Sequence, residues 1–159
     1  MSLNHALYIV LEAEGIFSDD VDDPGGKTKY GITESVAREH GYQGEMINYT
    51  IDRAKQIYID SYWYPAKCDL LPSPLDIFVF DCAVNQGPGV AVKLLQKALG
   101  VAQDGVIGPV TRSRIQSASL SELCALFMAD RALRYVGTRN FDKYGRGWLK
   151  RLFMVVEKA

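Results

Sequence analysis

From Leu75 to Val84 the chain reads LDIFVFDCAV, apolar at nearly every position of a helical wheel. Leu75, Phe78, Val79, Cys82 and Ala83 recur at i, i+3, i+4, i+7 and i+8, and Ile77, Phe80 and Val84 fill other faces. A helix without a polar face has to be enclosed by its neighbours, so this segment predicts a buried central rod. Ser73 is placed to cap it, Pro74 suits its first position, Gly87 stops it and Pro88 opens the next helix.

The remaining pattern is also helical. Leu3, Ala6, Leu7, Val10 and Leu11 predict a first helix to about Ala13, with Glu14 in its last turn and Gly15 beyond. Thr33 caps a short helix that Gly41 ends. Thr50 caps another, whose inner face carries Ile51, Ala54, Ile57 or Tyr58, and Tyr62. After Gly100, DGVIGPVT makes a tight turn and restarts at Pro109, and two longer helices follow, near residues 121–136 and 144–158. KTKYGIT reads as a short extended segment. The expected fold is mainly α and two-lobed, with at most a small β-hairpin near residues 16–33. LLPSP, Leu70 to Pro74, is the one seam, dividing the chain into lobes 1–70 and 71–159.

Length and composition narrow the function. A chain of 159 residues can bury a real core. Its net charge of −1 argues against a nucleic-acid binder working by bulk charge. Cys68, Cys82 and Cys124 are widely spaced and odd in number, which predicts reduced thiols. The N-terminal stretch lacks a basic region and a small-residue cleavage site, and Ala6–Leu11 is too short an apolar run to span a bilayer. The expectation is synthesis in the cytoplasm without an export signal or membrane insertion.

Acidic residues crowd one segment. Between Glu12 and Asp23 there are six, Glu12, Glu14, Asp19, Asp20, Asp22 and Asp23, and no basic residue. Hydrolysis of a glycosidic bond needs a carboxylic acid to protonate the leaving oxygen and usually a second carboxylate across the sugar. Glu14, at the end of an apolar helix and before a glycine, suits the acid. Asp23, nine residues on in the rigid DPGG turn, suits the partner. Nine loop residues could span anything up to roughly 30 Å. A calcium loop starting at Asp20 fails, because Pro24 and Gly31 fall where two ligands belong. With only His5 and His40, and no clustered Cys, neither a zinc amidase nor a Ser-His-Asp hydrolase is supported. His40 reads as a partner for a helix C-terminus.

The stretch EGIFSDDVDDPGGKTKYGIT resembles the signature of the glycoside hydrolase family 108 muramidases, phage and prophage endolysins that cut bacterial walls. That signature runs E-G-G, then N-D-P, then D-P-G-G-x-T, then G-I-T. The resemblance assigns Glu14 as catalytic acid, Asp20 to the D of N-D-P, and Asp23, Pro24, Gly25 and Gly26 to the following turn. Ile16, Asp19 and Val21 depart from it, and Ile16 would narrow the space beside Glu14. FDCAVNQGPGVAVKLLQKALGVAQDGVIGPVT is similar to the peptidoglycan-associated region that accompanies such enzymes, and RGWLKRL fits its ending.

The resemblance implies cleavage of the β-1,4 bond between N-acetylmuramic acid and N-acetylglucosamine, with no metal or cofactor and with a holin or cell lysis giving access to the wall. By analogy with phage-type lysozymes, Thr28 is the candidate for holding water or a sugar hydroxyl, with Thr33 the alternative. Asp20, Tyr30, Thr33 and Asn85 are candidate substrate contacts, and Gln96 a weaker one. YWYP, Tyr62 to Pro65, offers rings for sugar stacking or for the core. From Arg131 to Arg151 seven basic residues face Asp142 alone, which reads as a solvated face tolerant of an anionic wall. Two rival readings are a lytic transglycosylase using Glu14 alone and an inactive wall-binding module.

Overall fold

The computed structural model describes residues 3–14 and 28–159. In chain order, the described elements are α1 (Leu3–Ala13), β1 (Thr28–Lys29), β2 (Ile32–Thr33), α2 (Glu34–Glu39), α3 (Ile51–Tyr58), α4 (Leu75–Gln86), α5 (Pro88–Ala98), α6 (Pro109–Ser117), α7 (Leu120–Val136) and α8 (Phe141–Lys158). The class is mainly helical, as the periodicity predicts. The central rod is α4, with every residue from Leu75 to Ala83 buried. It packs against α1, α5, α7 and α8. Two acids, Asp76 and Asp81, are buried within that apolar run.

Several boundaries differ from the sequence reading. The N-cap of α4 is Pro74, one residue later than the expected Ser73 cap, and the Ile77 and Phe78 amides bond back to the Pro74 carbonyl. α3 does not run to Tyr62 as one α-helix; it widens into a π-helical turn, Ile59–Trp63. That turn buries Trp63 edge-to-face on Phe80, with ring centroids 5.2 Å apart. Seating an indole on the central rod outweighs one turn of regular geometry. TKYGIT is a hairpin, because Tyr30 and Gly31 both take positive φ and turn the chain, pairing Thr28 with Thr33. Of YWYP, only Trp63 is core, and Tyr64 is half exposed.

Gln96 is no substrate ligand. It is 1% exposed on α5 and organises the DGVIG turn from inside. Its Nε2 donates to Asp104 Oδ1 at 2.6 Å and to the Val106 carbonyl at 3.0 Å, while its Oε1 accepts from the Gly105 amide at 2.8 Å. The bonds from Gln96 and from the Val106 amide hold the Asp104 carboxyl below the usual range. The three cysteines are buried and unpaired. Burial pushes the Cys82 thiol up to about 11 and Cys68 higher still, which leaves both unreactive near neutral pH.

Gln96→Ala leaves the half-buried Gly105 amide without its partner and removes the bond to Asp104, and should cost about 1–3 kcal/mol in urea denaturation with an unchanged m-value. A loss under about 0.5 kcal/mol would show that the turn holds itself.

Candidate active site

Asp81 sits at the middle of α4 with no exposure, and a lone buried carboxylate is heavily penalised. Two guanidinium groups answer it. From α7, Arg131, also fully buried, places Nη1 2.6 Å from Asp81 Oδ2. From α8, Arg151 sets Nη2 at 2.7 Å and Nε at 3.0 Å from Asp81 Oδ1. Burial works against both cations, but the neighbouring carboxylates outweigh it and hold each guanidinium above its usual pKa. One acid and two bases leave a surplus positive charge. Glu14 cancels it, since Arg151 Nη1 lies 2.6 Å from Glu14 Oε1.

Local structure delivers Glu14 to that place. α1 buries Ala6, Leu7, Ile9, Val10 and Leu11, and the Glu14 amide still bonds the Val10 carbonyl at 3.0 Å. The helix therefore persists for one more bond and carries the Glu14 side chain, 28% exposed, to the rim of the charge network. A second pair fixes the same two helices, with Lys158 Nζ 2.6 Å from Glu12 Oε1. His5 Nε2 lies 3.1 Å from the Lys158 carbonyl.

The network continues to a second candidate. Arg131 Nη2 donates to the Tyr135 hydroxyl at 3.1 Å, and that hydroxyl donates to Asn85 Oδ1. Glu14, Arg151, Asp81, Arg131, Tyr135 and Asn85 thus form one unbroken polar chain. Asn85 itself is exposed, at the end of the buried helix. Tyr58, 3% exposed, joins the hairpin to the same region by donating to the Tyr30 carbonyl at 3.5 Å. Burial raises the Tyr58 pKa and the charge of Glu14 raises it further, so its phenol stays neutral.

Thr28 is exposed opposite Thr33, and the Thr33 hydroxyl accepts the Val36 amide at 3.3 Å as the cap of α2. Asp20 and Asp23, with Ile16, lie outside the described residues. His40 bonds the Val36 carbonyl through Nδ1 at 2.9 Å. Among the described residues no three His, Cys, Asp or Glu side chains gather as a metal site.

Asp81, Arg131, Arg151, Tyr58 and Tyr135 were not singled out from sequence. The reading of the basic C-terminal run as a solvated face is corrected for Arg131, which is fully buried, and for Arg151, which is largely enclosed, because both turn inward to Asp81. An acid inside an otherwise apolar helix, in a chain with surplus arginines downstream, was the available signal.

A mainly helical chain that holds one carboxyl at the end of its first helix by a buried charge network has the build of a lysozyme-like glycoside hydrolase. Residues 7–87 match the family model described as Glycosyl hydrolase 108, and residues 90–153 the one described as "Predicted Peptidoglycan domain". The chain belongs to the glycosyl hydrolase 108 family, and it is a glycoside hydrolase acting on peptidoglycan. Among solved structures it is similar to SagA of Brucella abortus, at 32% identity and a TM-score of 0.81, covering 98% of this chain and 92% of that one. No curated protein sequence matches it.

Asp81→Ala leaves Arg131 buried without a carboxylate partner and should destabilise the fold by about 3–5 kcal/mol. Adding Arg131→Met should restore part of that loss in chemical denaturation, because Arg151 keeps Glu14 as its partner. A double variant weaker than the single one would refute the charge-balance account.

Proposed function

We propose that this enzyme is a muramidase, hydrolysing the β-1,4 bond between N-acetylmuramic acid and N-acetylglucosamine. The observation that carries the reading is the Arg151 contact to Glu14. It fixes the orientation of the one carboxyl at the end of α1, at a rim that substrate can reach. In this mechanism Glu14, once protonated, delivers its proton to the leaving glycosidic oxygen. Asp23 activates water or offsets the positive charge that develops on the sugar, and Thr28 holds the water or a sugar hydroxyl. Asp20, Tyr30, Thr33 and Asn85 bind the sugar flanks, with Asn85 oriented by Tyr135. Arg151 is a positioning residue, since it acts through Glu14.

In this reading residues 1–70 supply the reacting carboxylates and the hairpin, and residues 71–159 hold the wall strand. Arg151 reaches from the second to the first. No described helix is long and apolar enough to cross a membrane. In a phage- or prophage-type lysis role, passage to the wall falls to a holin-made pore or to cell lysis.

Mass analysis of muropeptides released from purified peptidoglycan tests the reading. The wild type should release reducing muramic ends, and Glu14→Gln should lower the rate by about 10²–10⁴. Asp23→Asn ranks the partner. Anhydro ends would place the enzyme among transglycosylases, and undiminished cutting by Glu14→Gln would remove Glu14 from the mechanism. Arg151→Lys keeps the charge without the two-pronged grip, so it should lower kcat by about tenfold or more with KM little changed. A change confined to KM would deny the positioning role.

A further inference from the structure

We infer that the face of α8 carrying Tyr144, Gly147 and Trp148 is a saccharide platform for the peptidoglycan strand beyond the scissile bond, a proposal that rests on Glu14 marking the reacting end of the site. Tyr144, Gly147, Trp148 and Arg151 fall at i, i+3, i+4 and i+7, one stripe of one helix. The stripe ends at the guanidinium that holds Glu14. It therefore leads away from the candidate acid along the surface of the second lobe.

Its rings are graded from core to solvent. Tyr135, 3% exposed, stacks on Trp148 with centroids 5.1 Å apart and planes 22° from parallel. Tyr144 follows at 5.9 Å and is 47% exposed. The buried end of this ladder is the residue that orients Asn85. Trp148 is thus locked from behind by its neighbours, and Tyr144 extends the apolar surface outward. A rigid, partly exposed aromatic surface of this kind suits the apolar faces of sugar rings.

The glycines add a separate argument. A Cβ on Gly145 would meet the Phe141 ring at 2.6 Å, so packing alone requires that glycine. Gly147 is exposed, and a Cβ there would meet nothing within 4 Å. Glycine in a helix interior is a net cost relative to alanine, and packing offers Gly147 no return. What it leaves is bare backbone between Tyr144 and Trp148, where a ligand can approach closely.

Charge names the ligand. Lys143, Arg146 and Lys150 run along the adjoining stripe at i, i+3 and i+7, all exposed. Lys143 Nζ stands 5.0 Å from the Tyr144 ring, and none of the three makes an ion pair among the described residues. Aromatic rings flanked by exposed cations fit an acidic saccharide. Muramic acid with its lactyl or peptide carboxylates has that chemistry, and it is continuous with the bond at Glu14.

The test is binding to a tetrasaccharide of alternating N-acetylglucosamine and N-acetylmuramic acid, followed by tryptophan fluorescence in the uncut Glu14→Gln background. The wild-type sequence at the platform should give a saturable signal that Trp148→Phe lacks. Tyr144→Ala and Gly147→Gln should each weaken binding about tenfold. Gly147→Gln should melt no lower than its parent, so its loss of affinity would not reflect unfolding. Parental affinity in both variants overturns the platform. So does a wild-type dimer that Gly147→Gln dissociates without changing saccharide affinity. If saccharide affinity falls in both variants while Glu14→Gln still cuts the wall, the platform stands and the assignment of the acid fails. If Glu14→Gln is inert and both variants bind normally, the platform alone fails.

Discussion

The fold is organised around a carboxylate in the wrong solvent. Asp81 occupies the centre of an apolar helix, where an unpaired charge would be expelled or neutralised. Its two oxygens are matched by guanidiniums from two other helices, Arg131 on α7 and Arg151 on α8. A buried ion pair gives little net stability once desolvation is counted. What this one provides is geometry: α7 and α8 can both satisfy Asp81 only in one register against α4. The same requirement generates the excess positive charge that Glu14 neutralises. Core packing and presentation of the candidate acid are therefore one electrostatic arrangement.

The surrounding contacts make that arrangement stiff. α1 and α8 meet at two ion pairs, Glu14 with Arg151 and Glu12 with Lys158, which resist both sliding and rotation. Tyr58 ties the hairpin to the region from the opposite side. Sites carried on helices and held by locked neighbours keep their shape better than sites carried on loops alone.

The sequence disclosed the parts that depend on local pattern. The all-round apolar run at Leu75–Val84, the Gly87–Pro88 junction and the capping Thr33 each have a near-neighbour cause, and each is found in the structure. Glu14 stood out as a candidate because helix end, glycine and acidic loop adjoin in sequence. The network behind it was not, since Asp81 meets residues 50 and 70 positions away. Pairing at that range is decided by how helices pack, which periodicity does not encode. Gln96 was misread for the same reason: a polar side chain on an apolar helix can face a cleft or a turn, and only the fold decides which. Asn85 was placed correctly at the end of the buried helix, while its link to Tyr135 was invisible.

The contact between Glu14 and Arg151 has a further meaning in time. Its two members are far apart in the chain, and α8 is made after α1. A ribosome making this chain releases α1 long before the arginine that holds Glu14 leaves the exit tunnel. The site is thus assembled from two distant parts of the chain, and nascent or shortened chains lacking α8 carry the candidate acid without its anchor.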